Sequence, residues 1–230
     1  MNATLLLARS RDFLDRSRGI DFLAPLLLRL FLAPVFFSAG LTKMMAFEST
    51  VSWFGNPEWG LGLPFPWSMA FLATSTELIG GLLLLFGLAT RLIAIPLMVT
   101  MLVAICTVHW QDGWFAIAPS DPSTSMATPL AAVGFPGAEA SLANSEEVGN
   151  RLTAARGLLR EHGNYNWLTE KGSLVVLNNG IEFGATYFIM LLALFFSGAG
   201  RFVSLDYWIG RWLDRTPPLT REALLSLEPA

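Results

Sequence analysis

Apolar residues in this chain fall into long blocks, with polar residues gathered between them. Four segments are dominated by aliphatic and aromatic side chains: Ala24 to Met44, Trp67 to Leu88, Leu92 to Trp110 and Ile181 to Gly198. A helix that crosses hydrocarbon needs roughly 20 such residues, because its backbone must satisfy its own hydrogen bonds there. The pattern predicts an all-α integral membrane protein: a single domain over 1–230, built as an antiparallel bundle of four transmembrane helices. Gly87-Leu88-Ala89-Thr90-Arg91 is a short connection with a glycine in the capping position, so the second and third spans form a hairpin.

The polar stretches have patterns of their own. Met45 to Pro66 carries Trp53, Trp59, Pro57, Pro64 and Phe65, followed by Trp67, a composition that suits the headgroup level. The insertion over 111–179 has two parts. Ala116 to Ser141 is rich in Pro, Ser, Ala and Gly and is expected to be irregular. Asn144 to His162 is expected to be an amphipathic helix. Asn144 or Ser145 would cap it, Glu146 and Glu147 suit its first turn, and Val148, Leu152, Ala155 and Leu159 recur at helical spacing. Such a stripe needs the bilayer surface or a partner to cover it. The outer loop that contains it is expected to fold over the bundle mouth as a lid and form part of the ligand site, the alternative being a solvated loop with no contact to the pocket. In the tail, Ser204 caps a short helix that puts Leu205, Trp208, Ile209 and Trp212 on one face, as a helix lying on a membrane does. The segment before Ala24 is a weaker version of the same pattern.

Composition supports this picture: the chain is 53% hydrophobic and only 14% charged, where soluble domains have about a quarter charged residues. A net charge of −3 gives no basic surface for nucleic acid. The single cysteine, Cys106, excludes an intramolecular disulfide and a zinc ribbon. Arg9 and Arg11 follow the short apolar run of Met1 to Ala8, the wrong order for a cleavable signal peptide, so the first span is expected to be retained. Arg9, Arg11, Arg16 and Arg18, then Arg91, then Arg201, Arg211, Arg215 and Arg221 flank the spans on one side, while Met45 to Pro66 has no lysine or arginine. This asymmetry places both termini in the cytoplasm and 111–179 outside, in a bacterial cytoplasmic (inner) membrane. Arg151, Arg156, Arg160 and Lys171 lie in an insertion long enough to translocate regardless of charge.

Ionisable groups inside spans cost about 2.5–3.5 kcal/mol at the centre and mark candidate sites. Arg29 and Lys43 share a stripe of the first span with Ala33, Phe36 and Gly40. Glu77 lies near mid-depth in the second. His109 ends the third, and Asn178, Asn179 and Glu182 open the fourth. With alternating helix directions these seven residues outline an outward-opening polar pocket floored by Glu77. A carboxylate at that depth needs a cation, and Arg29 is the nearer by depth, with Lys43 the alternative. The competing reading is a set of structural ion pairs, interfacial groups and snorkelling cations.

Met98, Met101, Cys106 and His109 on span three, with Met44 and Met45 at the end of span one, offer thioether, thiol and imidazole donors that suit Cu(I). Met101, Cys106 and His109 are the candidate metal set, although methionine is equally an ordinary packing residue. Gly80, Gly81, Gly184 and Ala185 allow close helix approach. There is no G-x-G-x-x-G, P-loop, H-E-x-x-H or C-x-x-C.

Two long runs, Leu28 to Lys43 and Glu77 to Arg91, together with Gly198-Ala199-Gly200-Arg201-Phe202-Val203-Ser204-Leu205-Asp206, resemble DoxX-like membrane proteins over all four spans. Within that family, Trp53 to Pro64, Thr107-Val108-His109-Trp110, His162 to Leu168 and Leu177 to Glu182 are similar to HvfX-type members. The narrower resemblance implies an accessory role in maturation, export or copper loading of a small copper-binding modified peptide, with that peptide and its maturation enzymes as partners. The broader one implies a quinone-reactive membrane subunit of an oxidoreductase of the thiosulfate:quinone type. A structural scaffold is the third possibility, because a shared fold does not fix function. The insertion over 111–179 is longer than the loop of a minimal DoxX protein.

Overall fold

The computed structural model describes Arg11, Asp15 and residues 18–215. The expectations for Met1 to Ala8, Arg9, Arg16 and Arg221 lie outside the described residues. The α-helices are α1 (Leu23–Met45), α2 (Phe47–Gly55), α3 (Pro66–Phe86), α4 (Thr90–Ala104), α5 (Ala127–Ala132), α6 (Ala138–His162), α7 (Tyr165–Thr169), α8 (Glu182–Ser197) and α9 (Leu205–Leu213). No β-strand is present among the described residues. Among the described residues, three helical stretches are long and apolar enough to cross a membrane: Arg18–Met45, Pro66–Phe86 and Thr90–Asp112. The chain divides into two compact units, residues 1–100 with 189–230 and residues 101–188.

The first unit is organised by α1 against α3. The buried positions of α3 are Ala70, Thr74, Glu77, Gly80, Gly81 and Leu84, a helical stripe. Those of α1 are Pro25, Arg29, Leu32, Ala33, Phe36 and Gly40. Glycine sets the approach: a Cβ on Gly81 would lie 2.7 Å from the Phe37 nitrogen, and one on Gly40 would lie 2.6 Å from the Leu78 nitrogen. Neither position admits a larger side chain without separating the helices. Contacts run from Ala33 and Phe37 at Gly81 to Gly40 at Leu78, so the two helices point in opposite directions. The opposite faces expose Leu27, Phe31, Leu72, Ile79, Leu82 and Leu85. An apolar exterior around a tight interior is the pattern lipid requires.

The α3–α4 turn follows its sequence signal. Gly87 adopts φ +63° and caps α3 by donating to the Leu83 and Leu84 carbonyls. A distant residue completes the turn: Asp206 accepts the Ala89 N–H at 2.6 Å and the Thr90 N–H at 2.9 Å. Its carboxylate thus caps the positive end of α4. In α9, Ser204 Oγ accepts the Tyr207 N–H, as the sequence suggested, and Leu205, Trp208, Ile209 and Trp212 are exposed.

Three details differ from the sequence pattern. The fourth apolar segment forms a helix of 16 residues, Glu182–Ser197. Gly198 ends it at φ +77°, and its start is held by Gly180, whose backbone sits against the Phe115 and Gly113 carbonyls. Span three does not stay α-helical. It passes into a π-helical turn, Ile105–His109, and a 3-10 turn, Trp110–Asp112. Finally, α6 begins at Ala138, behind Gly137 at φ +84°, so neither Asn144 nor Ser145 is its cap. Ser145 is buried within the helix and donates back to the Ser141 carbonyl.

In the second unit, α6 has its own covering. Ala138, Ser145, Val148 and Leu152 are buried, and Gly149 lies so close to the Ser120 carbonyl that a Cβ there would sit 2.3 Å away. The stripe expected to need membrane or a partner is covered in part by the chain's own 116–132 region. That region contains α5 and a 3-10 turn at Pro122–Thr124, so it is only partly irregular. Asp121 opens the turn by accepting the N–H and O–H of Ser123, which hold its carboxyl below the usual range. A short antiparallel pairing joins Ile117 to Leu177.

Candidate functional site: a charged pair between two apolar helices

Between α1 and α3 lies an ion pair. Lys43 Nζ donates to Glu77 Oε2 at 2.6 Å. Glu77 is 4% exposed, whereas the Lys43 side chain is 28% exposed. The pairing follows from the glycine-set register, which brings the end of α1 to the middle of α3. One turn before Glu77, on the same buried stripe, the Thr74 hydroxyl is also buried and has no hydrogen-bond partner. A lysine ammonium carries three donors, and one is engaged here. The site therefore combines a cation with spare donors, a carboxylate and an unsatisfied hydroxyl inside an apolar helix pair.

Arg29 is not part of it. Fully buried in α1, it donates to the Val203 carbonyl at 2.9 Å and, at 3.5 Å, to the Leu84 carbonyl at the end of α3. Its Nε has no partner, and Asp206 is the acidic group acting on it. Arg29 thus ties the α3 C-terminus to the segment entering α9, and counting depth along the spans assigned Glu77 the wrong first partner.

The remaining candidates lie in the second unit. His109 Nδ1 is 2.6 Å from the Asn179 carbonyl. A carbonyl only accepts, so Nδ1 carries a proton; in the neutral ring Nε2 is then the acceptor. The Asn178 amide donates to the Phe115 and Asp112 carbonyls. Glu182 Oε2 accepts the Ala116 N–H at 2.9 Å. These residues knit the returning chain onto 112–116. Asn179, at φ +61°, makes the bend. Of the candidate metal ligands, Met101 is buried and Cys106 exposed. The π turn rotates Cys106 and His109 apart relative to α-helical spacing. Among the described residues no group of three or more His, Cys, Asp or Glu side chains could hold a metal.

Thr74 and Asp206 were not singled out from sequence as site or capping residues. Thr74 could have been found by its i, i+3 relation to Glu77. Asp206 acts over 116 and 117 residues, with no local signal.

Long apolar helices with lipid-suited exteriors and a buried charged pair define a multi-pass helical membrane protein. The DoxX family pattern matches residues 24–110. A Bacillus subtilis (strain 168) protein named "Putative oxidoreductase CatD" is 41% identical over 96 residues, covering 42% of this chain and 67% of the relative. The chain belongs to the DoxX family. No solved structure matches it.

Proposed function

We propose that this chain is the membrane subunit of an oxidoreductase in which Lys43, Glu77 and Thr74 hold the polar head of a quinone. The observation that carries this reading is the 2.6 Å Lys43–Glu77 pair beside the unpartnered Thr74 hydroxyl, buried between apolar helices. The oxidoreductase name of the Bacillus subtilis relative supports it. The donor set fits: a quinone carbonyl accepts hydrogen bonds, and Lys43 and Thr74 have donors to give. A bound quinone supplies reversible two-electron, two-proton chemistry within hydrocarbon. Were a quinone held here, Lys43 and Thr74 would donate hydrogen bonds to its carbonyl oxygens and Glu77 would take up or release a proton at its carboxylate oxygen, with electrons supplied by a partner subunit of the oxidoreductase.

This reading includes a bacterial inner membrane, both termini cytoplasmic, and α8 as the fourth helix of an antiparallel bundle. The arginine distribution supports the orientation. At 16 residues α8 is short for a span, and local bilayer thinning accommodates it.

One observation favours a second reading, the HvfX-type role in copper loading of a modified peptide. A histidine that donates Nδ1–H to a carbonyl presents Nε2 to a metal in the usual way, and His109 does so. Purification in mild detergent, followed by an absorbance spectrum and elemental analysis, separates the readings. Bound, reducible quinone supports the first; stoichiometric copper supports the second and refutes the first; neither leaves a scaffold.

A further inference from the structure

We infer that the end of the first unit formed by the α3–α4 turn, the end of α8 and α9 is a binding site for an anionic phospholipid. Two openings meet there. One is a cavity of about 440 Å³ lined by Arg91, Ser197, Gly198, Gly200, Asp206 and Tyr207. The other is a groove of about 300 Å³ lined by Leu85, Phe86, Phe202, Val203, Leu205 and Trp208. They share Ser204. A charged cavity continuous with an apolar groove is the shape of a headgroup joined to its acyl chain, and a free phosphate would use only the first.

The chemistry of the cavity favours a phosphate. Arg91 donates to the Phe196 carbonyl with one Nη2 N–H, and the rest of its five donors are available. Its Nε lies so close over Gly198 that a Cβ there would be 3.2 Å away, which fixes the guanidinium at the cavity wall. The Tyr207 hydroxyl accepts from Arg211 Nη1 at 3.2 Å, leaving its own proton to donate. Asp206 keeps its negative charge, but its oxygens are turned to the Ala89 and Thr90 N–H groups and the buried Arg29 guanidinium acts on the same carboxylate, which offsets its charge and leaves Arg91 as the cation of the cavity. Arg201 pairs with Asp21 and does not compete. Beside the cavity, α9 exposes Leu205, Trp208, Ile209 and Trp212, so this end meets the bilayer at headgroup depth. Basic pockets between transmembrane helices bind anionic headgroups by the same physics. The site is separate from Lys43 and Glu77 and does not depend on the quinone reading.

The full chain, delipidated in mild detergent, is titrated with phosphatidylglycerol or phosphatidylcholine and observed by native mass spectrometry. Phosphatidylglycerol should be retained in preference, and Arg91→Gln should weaken it by about fivefold or more, the effect of one cation near a headgroup. Tyr207→Phe, which keeps the ring contacts, should weaken it by roughly fivefold through one lost hydrogen bond. Excess inorganic phosphate should leave the lipid in place. Equal retention of the two lipids, or wild-type retention in a folded Arg91→Gln, overturns the inference. So does displacement by inorganic phosphate, which indicates a free-anion site. If Arg91→Gln does not fold, because Arg91 also caps α8, unchanged retention in Tyr207→Phe overturns it.

Discussion

Replacing Lys43 by methionine should destabilise the protein far more than its partial exposure suggests. At an effective dielectric constant of about 20, unit charges 2.6 Å apart attract by roughly 6 kcal/mol. Desolvation of both groups offsets most of that gain. Removing one partner is a different matter, because the other loses its compensation while remaining buried, at a cost of about 3–5 kcal/mol. Glu77, 4% exposed, is the partner left behind in Lys43→Met. In Glu77→Met the lysine, 28% exposed on its side chain, can extend toward water. The expected order is therefore Lys43→Met worst, at about 3 kcal/mol, Glu77→Met milder, and the double variant close to wild type. About 3 kcal/mol is a loss of roughly a hundredfold or more in the folded-to-unfolded ratio. Reversible unfolding in mixed micelles measures all three against wild type. If the single losses are equal and simply add in the double variant, the pair is uncoupled and the reasoning fails.

Other outcomes follow from the packing. Gly81→Ala should cost about 1–3 kcal/mol, because its Cβ meets backbone atoms of α1 that cannot rotate away; thermal unfolding in detergent checks this. Asp206→Asn loses the charge at the start of α4 and one of two accepted N–H bonds, and should cost about 1–2 kcal/mol. Faster hydrogen exchange at Ala89 and Thr90 would locate the loss. With 111–179 outside, Ser141→Cys should react with a membrane-impermeant thiol reagent in intact cells, in a Cys106→Ala background; labelling only after lysis would reverse the assigned topology.

Much of the fold was legible because lipid imposes a coarse rule. Runs of apolar residues gave α1, α3 and α4 to within a residue or two at most ends, and Gly87 marked its turn. Register was not legible. Which cation reaches Glu77 depends on how far α1 slides against α3, and that is set by backbone contacts at Gly40 and Gly81 that no periodicity encodes. Arg29 and Lys43 look equivalent on one stripe, yet one binds carbonyls near Val203 and the other binds Glu77. The start of α6 was misplaced because Asn144, Ser145 and two glutamates imitate a cap, while the real start uses a left-handed glycine seven residues before Asn144. The close approach of Ser120 to Gly149 on α6 joins positions far apart in sequence, and such a contact leaves no mark on a helical stripe.

The central claim is that the Lys43–Glu77 pair is a binding site and not merely a helix clasp. The Lys43→Met/Glu77→Met double variant isolates it, since removing both charges should leave the helix pair folded. Quinone extracted from the purified wild-type protein and from this variant should be compared at equal amounts of folded protein. The account predicts stoichiometric, reducible quinone in the wild type and its loss from the folded double variant. Equal quinone in both would contradict it.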